Sequence, residues 1–186
     1  MQHLGSQLRT MGSALESARR ESETDPLTRV PNRKAFDEYL ARTVEMHKAF
    51  DQTMSLLIVD VDHFKTVNDT HGHMTGDELL RRIADALVTV FLRKTDFVAR
   101  LGGDEFAVIL RETSEADARS LAERVLARIH NIPVTQVTEP GNKATATASI
   151  GLAQIAPGDN EKAWVERADR ALYQAKQAGR DRVATP

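Results

Sequence analysis

Apolar positions along the chain fall into helical and strand-like spacings that alternate almost to its end. Phe36, Leu40, Val44 and His47 mark one side of a helix that Asn32 can cap and that ends near Phe50. Ser55-Leu56-Leu57-Ile58-Val59 is an unbroken apolar run, the pattern of a strand covered on both faces, and it ends in Asp60-Val61-Asp62. The polar residues 63–74 read as a connection. Thr75-x-x-Glu78 reads as a capping box opening a helix whose inner face is Leu79, Leu80, Ile83, Leu87, Val90 and Phe91. Next, Phe97-Val98-Ala99 and Phe106-Ala107-Val108-Ile109-Leu110 flank Gly102-Gly103. A glycine pair between two such runs predicts a hairpin, because both turn residues can take positive φ.

Ser114-x-x-Asp117 predicts another capped helix with Leu121, Val125, Leu126 and Ile129 inward. Residues 132–142, with two prolines and a glycine, read as loop, and 144–152 as a strand of small residues ending in Ile150 and Leu152. Asn160 can cap a last helix with Trp164, Val165, Ala168, Leu172 and Ala175 on one face and Gly179 just past its end; Arg182-Val183-Ala184 can add a final strand. The order predicts an α+β domain, a sheet with helices packed on it.

Ahead of this domain, Leu4, Leu8, Met11, Leu15 and Ala18 recur at alternating steps of four and three, the seam of a short coiled coil or one side of an amphipathic helix. Pro26 and Pro31 then break helical continuity and make residues 25–33 a hinge. The expected division is a linker over 1–24 and one domain over 25–186. At 186 residues and 41% hydrophobic content the chain has material for one proper core. A formal charge of −2 argues against a general binder of nucleic acid polymers or anionic membranes, so phosphate binding must be local. Without cysteine, a metal must be held by oxygen or imidazole. No run approaches the roughly 20 apolar residues of a membrane span, and no signal-peptide pattern opens the chain, so the expected location is the cytoplasm.

Chemistry enters with the acidic residues. The hairpin turn carries Asp104 and Glu105, like charges that repel unless a cation or polar ligand lies between them. If the strand ending in Asp60 lies beside the hairpin, Asp60 and Asp104 become neighbours, a pair of oxygen ligands suited to Mg2+ and a nucleotide phosphate. Taken singly, each aspartate could equally accept loop N–H bonds.

Five motifs occur in order: Asp25-x-Leu27-Thr28-x-x-Pro31-Asn32-Arg33; Asp60-Val61-Asp62-His63-Phe64-Lys65-x-x-Asn68-Asp69; Gly72-His73-x-x-Gly76-Asp77; Arg100-Leu101-Gly102-Gly103-Asp104-Glu105-Phe106; and Ala168-Asp169-x-Ala171-Leu172-Tyr173-x-Ala175-Lys176-x-x-Gly179-Arg180. Together they resemble the GGDEF family of diguanylate cyclases, over residue 25 to the end. The resemblance implies a mixed sheet similar to the palm of nucleotidyl cyclases and polymerases (ferredoxin-like), surrounded by helices, with a catalytic β-hairpin and an N-terminal signalling helix. It implies condensation of two GTP into cyclic di-GMP with release of two pyrophosphates, by a homodimer with one GTP per subunit.

By the same resemblance, Asp60, the Val61 carbonyl, Asp104 and Glu105 hold Mg2+ or Mn2+, with Glu105 alternatively the base for the attacking hydroxyl. Lys65 stabilises charge in the transition state, the N–H groups of Phe64 and Lys65 cradle phosphates, and Lys176 and Arg180 reach in from the last helix. Asn68 and Asp77 are assigned to guanine, whose N1–H and exocyclic amine both donate to a carboxylate, whereas adenine presents a lone pair at N1. Arg93-x-x-Asp96, with Arg124 as a looser third member, matches an inhibitory site for the product. Plainer roles stand beside these: a first-turn acid for Asp77, a basic last turn for Lys176 and Arg180, and a helix-ending ion pair for Arg93 and Asp96. A binding module that holds GTP or cyclic di-GMP without turnover is the alternative. His63, His71 and His73 lie close in sequence, but a zinc site is discounted, because His73 matches the family's Gly-His and the others lie in a polar segment. Two departures are Thr28-Arg29-Val30-Pro31, where the family has Gly-Leu, and His71, where it has an aromatic.

Overall fold

A computed structural model describes residues 22–134 and 145–186. The predicted seam at residues 4–18 lies outside these, as does most of the predicted loop at 132–142. The described elements are α1 (Arg33–Phe50), β1 (Met54–Val61), α2 (Phe64–His71), α3 (His73–Val90), β2 (Phe97–Gly102), β3 (Glu105–Arg111), α4 (Glu115–Ile129), β4 (Ala148–Gln154), α5 (Glu161–Gln177) and β5 (Val183–Ala184). The strands form one sheet in the order β2-β3-β1-β4-β5, antiparallel except for the β4–β5 pair. This is the expected α+β, palm-like mixed sheet.

All eight residues of β1 are buried, because helices cover both faces. Its odd positions Leu57, Val59 and Val61 join Val108, Leu110, Ile150 and Leu152 under α3 and α4, while Met54, Leu56 and Ile58 join Ala107, Ile109 and Ala153 under α1 and α5. Period-two alternation thus assigns the apolar residues of the central strands to one of two cores. Trp164 is fully buried in the second core and its Nε1 donates to the Ala153 carbonyl at 2.8 Å, so no polar atom of the ring is stranded. Gly151 is where α5 comes closest to the sheet: a Cβ there would lie 2.1 Å from the Ala168 carbonyl oxygen.

Asn32, Ser114 and Asn160 cap α1, α4 and α5 as predicted, accepting from the N–H groups of Ala35, Asp117 and Ala163. Four expectations are corrected. Residues 63–74 are not a plain connection; they hold α2 and the start of α3. Thr75 and Glu78 form no capping box, since α3 begins at His73 after Gly72 (φ +82°) and the Thr75 hydroxyl donates back to the His71 carbonyl. The hairpin apex is Gly103-Asp104, with Gly102 ending β2, although both glycines take positive φ. β4 starts at Ala148 rather than at 144. On α4, Val125 and Ile129 are fully buried and Leu121 and Leu126 pack half-buried against the same core, as expected, with Ala118 and Ala122 buried beside them.

Candidate active site

Asp60 stands opposite Glu105 in the β1–β3 ladder, and the Val61 N–H donates to the Asp104 carbonyl at 3.2 Å. The acidic end of the central strand and the acidic bend of its neighbour are therefore one place. Asp60 lies on the face covered by α5, and there Lys176 Nζ sits 2.8 Å from Asp60 Oδ2. Burial above all pushes the Asp60 carboxyl up from its ordinary range; Lys176 works against this, and Asp104 and Asp62 add to it. Glu105 is raised too, first by partial burial and then by Asp60, Asp104 and Asp169 of α5. Asp169 is itself raised by partial burial, which the nearby Arg33 only partly offsets.

Asp60 and Glu105 thus share their surroundings chiefly with Asp104 and one lysine, Lys176, while Asp169 has Arg33 nearby. Among the described residues no three acidic or histidine side chains converge on a single point, and Lys176 is the immediate partner of Asp60. The donor set is all hard oxygen, with like charges held together in partial burial, and it fits Mg2+ or Mn2+ rather than a thiophilic ion.

Just past β1, His63 holds a positive φ of 56° at the head of α2 and gives no side-chain cap. The first bond of this helix runs from the Val67 N–H to the His63 carbonyl, so the N–H groups of Phe64 and Lys65 lie ahead of the intrahelical ladder. Lys65 is exposed on the same turn. Further along α2 the Asn68 Oδ1 is buried without a hydrogen-bond partner among the described residues. Gly76 permits this arrangement: a Cβ there would lie 1.9 Å from that oxygen and 3.2 Å from the Phe64 ring. Asp77 comes next, half-buried, and because α3 begins at His73 it belongs to the second turn, so the plain role of first-turn acid does not apply. His63, His71 and His73 are all exposed.

Lys176 and Arg180 lie at the end of α5. The Gly179 N–H donates to the Lys176 carbonyl and the Arg180 N–H to the Ala175 carbonyl, a Schellman closure with Gly179 (φ +109°) in the expected position.

The Arg93 and Asp96 pair is well apart in chain and role from that cluster. Arg93 Nε donates to Asp96 Oδ1 at 3.0 Å, and its Nη2 to Thr113 Oγ1 at 2.6 Å. Arg124 is exposed on α4, and no interaction among the described residues ties it to the pair.

Sequence reading missed the partner of Arg100. Its Nη1 donates to both oxygens of Asp25, at 3.1 and 3.3 Å, while Nε and Nη2 donate to the Gly103 carbonyl at 3.1 and 2.7 Å. Burial works to raise the Asp25 carboxyl, but hydrogen bonds from Thr28 and Arg100 outweigh it and hold it below the usual range. Asp25 and Arg100 were both visible in motifs, yet they stand 75 positions apart and nothing in the chain between them signals their pairing. Asp62, Ser149 and Asp169 likewise drew no role from sequence, and only Asp62 and Asp169 lay inside a motif.

Fold and site together define an α+β domain with a carboxylate cluster, a buried amide oxygen and several cations gathered at one end of its central strands. Residues 22–182 match the family model for the GGDEF domain of diguanylate cyclases. The chain is 43% identical over 171 residues to the diguanylate cyclase DgcP of Pseudomonas aeruginosa, covering 92% of this chain and 25% of that protein. It is 37% identical over 168 residues to the diguanylate cyclase DosC of Escherichia coli, covering 90% of this chain and 36% of that one. Among solved structures, the coiled coil and GGDEF domain of DgcB from Caulobacter crescentus, in complex with c-di-GMP, superimposes with a TM-score of 0.90 at 34% identity, covering 98% of this chain and 95% of that one. The chain belongs to the GGDEF family. It spans about a quarter to a third of the length of these two curated relatives.

Proposed function

We propose that this domain is a diguanylate cyclase that joins two GTP molecules into cyclic di-GMP and two pyrophosphates, as a dimer with one GTP per subunit. The observation that carries the reading is the Asp60–Glu105 register with Asp104 at the adjoining bend and Lys176 against Asp60. In each half-reaction a 3′-oxygen forms a bond to the α-phosphorus of the opposite GTP while the bond from that phosphorus to the bridging oxygen breaks, and pyrophosphate departs with the electron pair. A divalent ion, Mg2+ or Mn2+, held by Asp60, the Val61 carbonyl, Asp104 and Glu105, would supply charge neutralisation on the phosphates. The chain itself orients the triphosphate with the Phe64 and Lys65 N–H groups and offsets its charge with Lys65, Lys176 and Arg180. In the alternative role, Glu105 accepts the proton of the attacking hydroxyl instead of contacting the ion.

Base selection rests on Asn68 and Asp77. The unpartnered Asn68 Oδ1 offers an acceptor to the guanine amine, and Asp77 accepts from N1–H and the same amine. Arg93 and Asp96, with Arg124, form the inhibitory site for the product; binding there requires Arg93 to be shared with or released from Asp96 and Thr113. Residues 1–24 form a coiled-coil linker that brings two domains face to face.

The deciding experiment is incubation with GTP and Mg2+, with cyclic di-GMP as the expected product; GTP recovered unchanged overturns the reading in favour of a silent binding module. ATP should be a poor substrate until Asp77 is replaced by a small neutral residue. Initial rates should fall with micromolar product added, and unchanged rates would remove the inhibitory assignment. Sedimentation with and without residues 1–24 tests the linker, which should raise the dimer fraction.

A further inference from the structure

The turn after α5 is bent in a way that its sequence does not favour. Gly179 takes positive φ, as glycine can, but Arg180 (φ +63°) and Asp181 (φ +49°) continue in the left-handed region that side-chain-bearing residues avoid. Such a conformation persists where its surroundings over-determine it. Here they do. The Arg180 N–H is held by the Ala175 carbonyl, and the Arg180 carbonyl accepts from Arg182 Nε at 2.9 Å. The Asp181 N–H donates to Asp62 Oδ2 at 3.1 Å, and the Asp181 carboxylate sits 2.7 Å from His130 Nε2 at the end of α4. Asp62 is 5% exposed, and its other oxygen accepts from the Ser149 hydroxyl at 2.7 Å. Ser149 is the ladder partner of Asp60. Among the described residues, the one side chain of residues 180–182 that has no partner is the Arg180 guanidinium.

We propose that Asp62, anchored by Ser149, is a positioning residue. It fixes the left-handed turn so that Arg180 is presented to the nucleotide phosphates beside the Asp60 cluster. This deepens the cyclase function proposed above and rests on it. A buried carboxylate spanning 119 residues of chain to one backbone N–H is a costly way to close a helix that the Schellman bonds have closed already. Its use is to set the path of the backbone beyond the closure. β1, whose end carries Asp60, and its partner β4, which supplies Ser149, thereby set the backbone from which the cation projects, and acid and cation keep a fixed separation.

The test is a double-mutant cycle on GTP binding, measured by calorimetry on the full chain with Ca2+ in place of Mg2+ to suppress turnover. Asp62→Ala should weaken binding about tenfold in the native background and change it less than about twofold when Arg180 is already alanine. Asp62→Asn, whose amide oxygen still accepts from the Asp181 N–H, should recover most of the affinity, and Ser149→Ala should give a smaller loss in the same direction. In hydrogen exchange the Asp181 amide should lose protection in Asp62→Ala and retain it in Asp62→Asn. Equal losses with and without Arg180 would overturn the proposal, since a residue acting on the fold at large weakens binding whether or not the guanidinium is present. If Asp62→Ala does not fold, the same cycle run with Ser149→Ala decides, coupling to Arg180 supporting the proposal and additivity overturning it. Failure of the unaltered chain to bind GTP or make product would be a different result, one against the function itself.

Discussion

The two ends of β1 differ in how their polar groups are settled. At the Met54 end, the Ser55 hydroxyl donates to the Thr113 carbonyl at 3.0 Å, the Thr113 N–H donates to the Thr53 carbonyl, and the Thr113 hydroxyl donates to the Arg111 carbonyl while accepting from Arg93. Each of these groups has a partner of opposite character. At the Asp60 end, carboxylates crowd one lysine, burial and mutual repulsion raise two of them, and the amide oxygen of Asn68 is buried without a partner among the described residues. One strand, buried along its length, thus runs from a largely settled joint, where Gln52 Oε1 and Arg111 Nε still lack partners among the described residues, to an unfinished one of crowded carboxylates. Crowded like charges and an unsatisfied buried acceptor are expensive, and at the Asp60 end they stand together where a ligand can complete them.

The contrast breaks most visibly if Asp104→Asn, at the unfinished end, leaves catalysis intact. It should lower cyclic di-GMP formation on the order of 10³-fold with the circular dichroism spectrum unchanged, because the proposed metal ligand is removed and no packing is. Next in size is Gly76→Ala. The added carbon meets Asn68 Oδ1 at 1.9 Å and must displace it, so the KM for GTP should rise roughly tenfold, as expected for loss of a base contact, while helix propensity favours the variant.

At the settled end the currency changes from rate to stability. Ser55→Ala strands the Thr113 carbonyl and should lower unfolding free energy in urea by about 1 kcal/mol, with the initial rate unaltered. The smallest effect sharpens the comparison by its sign. Glu105→Gln should raise the melting temperature of the ligand-free domain at neutral pH while impairing turnover. A carboxyl whose folded pKa is raised supports the fold below its unfolded pKa and loses that support as pH rises through the folded value. The advantage of the variant should therefore shrink as the pH is lowered and Glu105 protonates; an advantage that grows toward acid would contradict the repulsion described.

The sheet and its acidic end were legible because their signals are local. An unbroken apolar run in β1, a glycine pair and capped amphipathic helices each act over a few residues, and the juxtaposition of Asp60 with the hairpin needed one assumption about strand order. The head of α3 was misread for a local reason too: Thr75-x-x-Glu78 is a good capping pattern, but Gly72 and the helical residues before it start the turn earlier, and Thr75 bonds backwards. Long-range pairing stayed hidden. Nothing near Asp62 announces Asp181, and nothing near Asp25 announces Arg100, since these bonds depend on sheet register and on where α5 ends.

The guanidinium of Arg100 grips Asp25 with one edge and the Gly103 carbonyl with the other. A rigid planar group shared in this way leaves little slack between the proline-bearing bend ahead of α1 and the tip of the hairpin. The Arg100 N–H adds a backbone bond to the Pro31 carbonyl at 2.8 Å, and Val30 of the same bend is buried in the first core, so bend, hairpin and core are fastened as one piece.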